Sequence, residues 1–495
     1  MTATDPTPTA QAHPAVTTLD LLRSTQPAPL LPPDATEQIR AATAAAGHCI
    51  VVLDDDPTGS QVVHDVPVLT RWQDDDLRWA LSDPARIVFI LTNTRSLGAA
   101  ATRALLQDLD ARVNRLATEV GVTVVLLSRS DSTLRGHFPL ETDVLQEAAA
   151  QRGDPYDAVL LVPAYLDAGR VTVDDVHYAR TAEGYVPVGL TDYAADEAFG
   201  YTSSALPQWV AEKAGPTRRV RSLSLADIRR GGVERVTGLL LAARDGEVVV
   251  VNALDEADLQ VVALALITAE ATGWRALCRV GPSFVPARAG MERRDPLTYA
   301  EVFGDHPRRG YGLVVAGSHV ELTTRQVIEL QQLKNLTTVE FEVAALAGPD
   351  RGQAEVERCA AALLAATGQG DVLLMTSRQQ VVLSSGQSSL DFSQRVSLAL
   401  VELTRHVVRS VDLAWVLAKG GITSHSIATD GLDMRRALVL GQLFPGLVSV
   451  WRNESTGDGG DERLVGLPYV VFAGNVGDAS TLREAVLTLR GGRDA

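Results

Sequence analysis

Lysine, cysteine and aromatic residues are scarce in this chain of 495 residues. Aromatic residues make up only 5% of the sequence, so a folded core must be built mostly from Ala, Val and Leu. The three cysteines, Cys49, Cys278 and Cys359, are odd in number and far apart. This pattern argues against a disulfide framework and a cysteine zinc site, and it predicts a protein of the reducing cytoplasm.

Excess basic charge and long apolar runs are also missing. The formal net charge is −16, which argues against a nucleic-acid-binding surface, although local arginines can still hold a small anionic substrate. No uninterrupted apolar run reaches the length of a membrane span, so we expect no membrane partner. Residues 1–35 lack the basic start and apolar middle of a secretory signal. We predict a flexible tail there, with one short helix near residues 19–22.

Two common nucleotide-binding motifs are absent. The chain has three lysines, Lys213, Lys334 and Lys419, and none stands in the Gly-Lys-Ser/Thr sequence of a Walker loop. No Gly-x-Gly-x-x-Gly follows a predicted strand, which counts against a Rossmann dinucleotide site.

What the chain does contain is a regular alternation of short apolar runs and longer helical patterns. The apolar runs form one series at 49–53, 87–91, 122–127, 158–162 and 248–251, and a second at 312–316, 338–343, 372–375, 413–417, 447–450 and 469–472. This alternation predicts an α/β fold of two domains with mostly parallel sheets, covered on both faces. We place a first domain at 36–285, a second domain at 286–495, and an active-site cleft between them.

The most informative stretch is the segment 128–136, which places Ser-Arg-Ser-Asp-Ser-Thr-Leu-Arg-Gly directly after an apolar run. In open α/β sheets, ligands bind at the carboxyl ends of the strands. Arg135 can fork onto a carboxylate or phosphate, and Asp131 can accept a hydroxyl proton. The alternative is a polar loop whose Asp or Ser merely caps the next helix.

Three adjacent carboxylates, Asp54, Asp55 and Asp56, follow the first predicted strand. Such a run is costly without a cation or hydrogen-bond donors, so one of its members is a candidate general base or magnesium contact. The alternative is a solvated turn in which Asp-Pro-Thr-Gly reverses the chain. A second run, at 74–76, lies between helical residues and is expected to be a solvated surface.

Two further strand ends add arginines, Arg95 in the segment 92–96 and Arg170 in the segment 162–170. Four successive strand ends therefore carry Asp, Arg or both, which favours a site for a polyhydroxylated acid. Arginines would hold the carboxylate and aspartates the hydroxyl groups. His177, just beyond, is either part of this site or a structural hydrogen-bonding residue.

In the second series, three of the apolar runs are followed by turns rich in small residues. Its polar turns are Gly-Ser at 317–318, Lys-Gly-Gly-Ile-Thr-Ser at 419–424 and Ala-Gly-Asn-Val-Gly at 473–477. Small residues let backbone amides approach a ligand closely, and helix N-termini favour phosphate. Three such turns in one sheet indicate a nucleotide or phosphate site.

Together these motifs resemble the four-carbon acid sugar kinases, a family long known only as a domain of unknown function. The segment 54–60 resembles the family's Ala-Asp-Asp-x-Thr-Gly-Ala, and 129–136 resembles its Lys-x-Asp-Ser-Thr-Leu-Arg-Gly. The segments 163–172 and 177–178 resemble its Pro-Ala-x-x-x-x-Gly-Arg-x-Thr and following His-Tyr. The match covers nearly the whole chain after the tail.

The resemblance implies a kinase that uses ATP and Mg²⁺ to phosphorylate a hydroxyl of a small sugar acid, four-carbon or branched and possibly 3-oxo. The catalytic candidates are Asp56, Asp131 and Arg135. The substrate-binding candidates are Asp55, Thr58, Arg95, Ser132, Gly136, Arg170 and His177. The ATP-binding candidates are Ser318, Gly420, Gly421, Ile422, Thr423 and Gly474. No residue is assigned as a metal ligand, and a homodimer is a possible assembly.

Three positions depart from the family pattern. Arg129 stands where the family usually has Lys, Ile422 where it has Glu, and Val476 where it has Phe. These departures leave two alternatives open. One is a sensor that binds a sugar acid and a nucleotide without turnover, and the other is a sugar-acid dehydrogenase or aldolase, for which Lys419 is formally available as the Schiff-base lysine.

Overall fold

The computed structural model describes residues 16–30, 33–56, 59–304, 310–318, 320–378, 389–457 and 460–491. In the first half the helices are α1 (Leu19–Ser24), α2 (Ala35–Ala45), α3 (Asp74–Leu81), α4 (Ala99–Val120), α5 (Leu140–Gln151), α6 (Leu206–Ala214), α7 (Leu225–Leu241), α8 (Glu256–Glu270) and α9 (Phe284–Ala289). The strands of this half are β1 (His48–Asp54), β2 (Val66–Leu69), β3 (Ile87–Leu91), β4 (Thr123–Arg129), β5 (Ala158–Val162), β6 (Arg170–Val173), β7 (Val176–Arg180), β8 (Tyr185–Pro187), β9 (Val220–Leu223), β10 (Glu247–Val251) and β11 (Ala276–Val280).

The second half repeats the alternation of strands and helices. Its helices are α10 (Tyr299–Phe303), α11 (Glu321–Leu330), α12 (Pro349–Thr367), α13 (Ser389–Ser410), α14 (Gly421–Ser426) and α15 (Thr481–Arg490). Its strands are β12 (Tyr311–Ala316), β13 (Leu336–Phe341), β14 (Asp371–Thr376), β15 (Leu413–Lys419), β16 (Met434–Phe444), β17 (Val448–Thr456) and β18 (Pro468–Phe472). The predicted fold class, two α/β units with mostly parallel sheets, is confirmed.

The central strands are apolar along their whole length because helices cover both faces of the sheet. Every residue of β3 and β5 is buried. Helix α4 shows how the covering layer is made: Leu106, Leu109, Val113 and Leu116 recur at helical spacing and are all buried. The core is thus built from aliphatic side chains, as the low aromatic content requires.

The sheets of the two halves are joined edge to edge into a single sheet of 15 strands. Its order is β13-β14-β12-β15-β18-β17-β16-β2-β3-β1-β4-β11-β5-β10-β9. The joint is the antiparallel pairing of β2 with β16, in which Val66 faces Val439 and Leu69 faces Arg436. The sequence did not predict this continuity, because β2 is only four residues long. The domain limits at 35 and 285 stay a prediction.

Part of the segment predicted as a tail packs against the first half. The backbone groups of Thr17 exchange two hydrogen bonds of 2.8 Å with Tyr185 in β8, and Leu22 of α1 is buried. Strand β8 belongs to a small antiparallel sheet, β6-β7-β8, which carries Arg170 and His177. None of the described helices is both long and apolar enough to cross a bilayer.

A buried carboxylate fixes the joint between the two halves. Asp76, fully buried at the start of α3, accepts hydrogen bonds from Arg435 Nη2 at 2.9 Å and from Arg436 Nε at 2.7 Å. It also accepts the backbone N–H of Gln73, which completes the cap of α3. The expectation of a solvated surface is therefore wrong for Asp76, because it is the member of its run that faces β16, whereas the Asp75 side chain is 79% exposed.

Replacing Asp76 should therefore weaken the whole molecule. The change Asp76→Asn leaves Arg435 and Arg436 without their carboxylate, and we expect a loss of about 3 kcal/mol in the free energy of unfolding. Denaturant unfolding measures it. The matched control is Asp75→Asn, which removes the same charge one residue earlier and should cost less than about 1 kcal/mol. Equal effects of the two variants would contradict the role given to Asp76.

Candidate functional site

A cluster of carboxylates and arginines lies at the carboxyl ends of β3, β1 and β4, which are neighbours in the sheet. Arg95 follows β3 and contacts three carboxylates. Its Nη2 donates to Asp56, its Nε lies 3.2 Å from Asp55 Oδ2, and its Nη1 lies 3.9 Å from Asp131 Oδ1. Parallel strand order thus brings together side chains that are up to 76 residues apart in sequence, from Asp55 to Asp131.

The innermost pair of the cluster is Asp54 with Arg129. Arg129 Nη1, at the end of β4, lies 2.8 Å from Asp54 Oδ1, and the backbone N–H of Asp56 donates to the same oxygen at 3.0 Å. A Cβ on Gly59 would lie 1.7 Å from Asp54 Oδ2. The glycine is therefore required for the chain to pass over this carboxylate. Arg129, a departure from the family's Lys, keeps the positive charge at this position.

Burial and neighbouring charges shift the pKa values of the three carboxyl groups in opposite directions. Burial raises the pKa of Asp54 to about 6, although Arg129 opposes the shift. Burial also raises the pKa of Asp55 to about 8, against the effect of Arg95, and the nearby charge of Glu141 adds to the rise. For Asp131 burial acts in the same direction, but Arg95 and Arg135 outweigh it and hold the pKa below its usual range. The site thus combines a carboxyl group that tends to stay protonated with one that stays ionised.

Asp131 and Arg135 form the second half of the cluster. Arg135 Nε donates to Asp131 Oδ2 at 2.7 Å, and Thr133 Oγ1 donates to the same oxygen. The next residue, Gly136, has φ 112°, and a Cβ there would lie 3.2 Å from Asp55 Oδ2. Gly136 therefore permits the close approach of the two motifs and does not itself present a side chain.

Sequence reasoning missed the layer behind this turn. Arg279 of β11 is buried, and its Nη2 donates to the backbone oxygen of Arg135 at 3.3 Å while its Nη1 lies 3.1 Å from Glu141 Oε2. Glu141 in turn accepts from Thr94 Oγ1 at 2.6 Å. The available signal was an arginine inside an otherwise apolar strand, since a buried charge is kept only where it has a partner.

His177 occupies a different place from the one predicted for a substrate-binding residue. It is fully buried, with Nδ1 2.9 Å from Thr172 Oγ1 and Nε2 2.7 Å from the backbone oxygen of Ser132. Burial lowers its pKa to about 4, so the ring is neutral near pH 7. His177 thus supports the Ser132 backbone from behind.

Seven of the predicted residues line a cavity of about 700 Å³ between the two halves. From the first half it is lined by Asp56, Asp131, Ser132, Arg135 and Arg170, and from the second by Gly421 and Gly474. Arg170 donates to the oxygen of Ala168 at 2.8 Å and to the hydroxyl of Tyr193 at 3.3 Å. Tyr193, whose ring lies 5.3 Å from the Arg135 guanidinium, also lines the cavity. Thr58 lies outside the described residues.

The glycine turns of the second half converge at the ends of β12, β15 and β18. A Cβ on Gly474 would lie 2.8 Å from Ser318 Oγ, and one on Gly420, at φ 118°, would lie 3.2 Å from Ser318 Cβ. Thr323 at the start of α11 donates to the oxygen of Gly474 at 2.9 Å. Thr423 is packed against this junction, 3.3 Å from the Gly420 Cβ position. Ser318, Gly420, Thr423 and Gly474 are thus brought together, while Ile422 is 72% exposed.

Lys419 is fully buried beneath these turns. Its Nζ donates to the backbone oxygens of Ala473 at 2.6 Å and Gly474 at 3.2 Å, and it lies 3.9 Å from the centre of the Phe472 ring. Burial lowers its pKa to about 7. Because its nitrogen is occupied by two carbonyl groups that line the cavity wall, Lys419 holds the turn at 473–474, which disfavours the Schiff-base alternative.

Within the described residues no group of three His, Cys, Asp or Glu side chains is arranged to hold a metal ion. Magnesium in kinase sites is commonly bound by one or two carboxylates together with the phosphates of its nucleotide. Asp56, which lines the cavity, is of the right chemical type for such a contact.

Comparison with known proteins also divides the chain into two halves. Residues 50–288 match the family model of a sugar-binding N-terminal domain, and residues 313–482 match that of a nucleotide-binding C-terminal domain. The chain belongs to the four-carbon acid sugar kinase family. The resemblance inferred from the motifs is thereby confirmed. The homodimer and the cytoplasmic location stay predictions.

Several known proteins are similar to this chain over nearly its whole length. A D-threonate kinase of Bordetella bronchiseptica is 29% identical over 462 residues, covering 90% of this chain and 98% of the relative. A tRNA synthase candidate from Salmonella typhimurium LT2 shares the fold with a TM-score of 0.65 at 18% identity, covering 89% of this chain and 98% of that one. A Haemophilus influenzae protein of family DUF1537 shares it at a TM-score of 0.58 and 16% identity, with 88% and 98% coverage.

The raised pKa of Asp55 predicts a pH dependence of stability. Its folded value of about 8 lies above the ordinary 3.8, so its contribution to stability is complete below about pH 4 and is lost as the pH rises towards 8. We expect the free energy of unfolding of the wild type to fall across this range relative to that of Asp55→Asn, which mimics the protonated carboxyl. One pKa unit is worth about 1.4 kcal/mol, and the relative fall should exceed that value.

Urea unfolding of both proteins at several pH values measures this difference. Asp75→Asn serves as the control, since its exposed carboxylate should leave the pH dependence unchanged. A constant gap between wild type and Asp55→Asn at all pH values would show that folding does not raise the pKa of Asp55.

Proposed function

We propose that this protein is an ATP-dependent kinase that phosphorylates a hydroxyl group of a small sugar acid. The observation that carries the proposal is the single cavity bounded by two kinds of wall. One wall presents Asp56, Asp131 and Arg135, and the other presents the glycine turns at Gly421 and Gly474. The family's sugar-binding and nucleotide-binding models fall on the same two halves.

Arginines at one end of the cavity suit the carboxylate of the acid. Arg170 keeps a buried Nε to which no acceptor is assigned in the described part of the chain, and its guanidinium lies 5.9 Å from the centres of the Tyr165 and Tyr193 rings. Arg135, which is tied to Asp131, lines the same cavity and lies 5.3 Å from the centre of the Tyr193 ring. A planar guanidinium binds a carboxylate through two parallel hydrogen bonds. We assign the acid group of the substrate to Arg170, with Arg135 near the transferred phosphoryl group.

Asp56 is the better candidate for the general base. Asp131 has an oxygen that accepts from both Arg135 and Thr133, and its low pKa makes it a weak acceptor of protons. The Asp56 side chain is twice as exposed, 24% against 12%, and lines the cavity. In this proposal Asp56 accepts the hydroxyl proton, while Asp131 holds Arg95 and Arg135 in place.

MgATP binds as the second substrate against the turns of the second half. Backbone N–H groups of the 420–423 and 474–477 turns would face its phosphates, as glycine turns allow. Phosphoryl transfer needs chiefly positioning and electrostatic stabilisation. The fixed arginines Arg95 and Arg135 supply positive charge without reorganisation during the reaction.

The first experiment is an ADP-release assay with MgATP against a panel of acids, which tests the proposal directly. The panel contains D- and L-threonate, D-erythronate, their 3-oxo forms and 3-oxo-isoapionate, and we expect turnover of one member. Isothermal titration with ATP is run in parallel. Binding of acid and ATP without turnover would favour the sensor alternative, and failure to bind ATP would overturn the nucleotide assignment.

Substitutions separate the roles within the first half. We expect Arg135→Ala to lower kcat by about 10²–10³ through loss of charge stabilisation. Asp56→Asn should lower kcat by about 10²–10⁴ and remove the acidic limb of the pH–rate profile. Steady-state kinetics with the accepted acid measures both. Arg103→Ala, which breaks an exposed ion pair with Glu147, should leave the rate unchanged. Near-normal turnover of Asp56→Asn would exclude Asp56 as the base.

A further inference from the structure

Arg378 lies at the carboxyl end of β14, beside the end of β12 that carries Ser318. Its Nη1 donates to the backbone oxygen of Ser318. The Ser318 hydroxyl oxygen lies 2.8 Å from the position of a Cβ on Gly474. Arg378 is thus in contact with the junction of glycine turns, although it belongs to none of the motifs identified in the sequence.

The remaining donors of this guanidinium are unusual. Its Nε and Nη2 are buried, and no acceptor for either is present in the part of the chain that the structure describes. Burial lowers the pKa of Arg378, with only the more distant charge of Glu340 opposing it. Leaving charged donors unpaired in a buried position costs free energy.

Other buried arginines of the chain show how such a charge is normally accommodated. Each is paired with a carboxylate: Arg129 with Asp54, Arg229 with Asp258, Arg279 with Glu141, Arg288 with Glu270, Arg435 with Asp76 and Arg490 with Asp371. No ion pair within 4.0 Å joins Arg378 to a carboxylate among the described residues. The anion that completes this site is therefore expected to come from a ligand.

We propose that Arg378 binds a phosphate group of the nucleotide through its free Nε and Nη2. This inference rests on the proposed function and adds a residue to it. A guanidinium edge with two parallel donors matches two phosphate oxygens. Arg378 would supply a positive charge to the phosphate beside the Ser318 turn. The amino group of Lys419 is not available for this role, since it donates to the backbone carbonyls of Ala473 and Gly474. Phosphate binding would also explain why the Nε and Nη2 donors of the Arg378 guanidinium have no acceptor in the described part of the chain.

The test compares nucleotides that differ only in phosphate. Isothermal titration of the full chain with ADP and with adenosine is carried out for the wild type, Arg378→Met and Arg378→Lys. Loss of charge-assisted hydrogen bonds should weaken ADP binding of Arg378→Met about 10- to 100-fold and leave adenosine binding within about twofold. Arg378→Lys should lie between, since it keeps the charge and loses the fork.

The control is Arg351→Met, which removes a side chain that is 70% exposed and 3.8 Å from Glu342. It should bind ADP as the wild type does. The melting temperature without nucleotide provides a second readout: Arg378→Met should melt no lower than the wild type, because an unpaired buried charge has been removed.

Three results would count against the inference. Unchanged ADP affinity in Arg378→Met overturns it while leaving the kinase proposal intact. Equal losses for ADP and adenosine, with a lower melting temperature, would mean that Arg378 only supports the Ser318 turn. A wild type that binds no ADP contradicts the proposed function itself, and the inference with it.

Discussion

Arg95 contacts carboxylates from two other strand ends, and the arrangement of the site depends on these contacts. Asp56 and Asp131, which follow adjacent strands, would repel each other if no cation lay between them. The guanidinium of Arg95 offsets that repulsion, and Arg129 does the same for Asp54 deeper in the sheet. Arg95 follows β3 and Arg129 ends β4, and these two strands flank β1. The strand order β3-β1-β4 therefore places a positive charge on each side of the carboxylates that follow β1.

A second constraint keeps the two walls of the cavity facing each other. The sheet runs without a break through β2 and β16, and contacts near the joint reinforce it. Trp451 Nε1 donates to Ser60 Oγ at 2.8 Å, and the Tyr165 hydroxyl contacts the oxygen of Gly446. Ser60 belongs to the loop that carries the Asp motif. The hairpin of β16 and β17 therefore fixes the loop that contains Ser60 relative to the glycine turns of the second half.

The arginines of this chain fall into two groups with different physical roles. Those fully inside the fold are paired with carboxylates and hold elements together, as Arg435 does with Asp76 and Arg279 with Glu141. Arg170, by contrast, has a buried donor without an assigned acceptor in the described residues and lies at the cavity. Since an ionised group is kept buried only with a counter-charge, the unsatisfied donor of Arg170 favours an anionic ligand at the wall formed by the first half.

The sequence by itself determined the α/β class and the strand ends at which the polar side chains gather, because apolar runs mark buried strands and polar residues that follow them lie at the sheet edge. It also indicated that Asp131 and Arg135, which are four residues apart, belong to one polar cluster. Only the tertiary structure decided that Asp76 is buried and that His177 stands behind Ser132. Both outcomes depend on partners brought close by chain folding, such as Arg435, which is 359 residues from Asp76. No local pattern contains that information, since it arises from strand order and from the faces that packing leaves open.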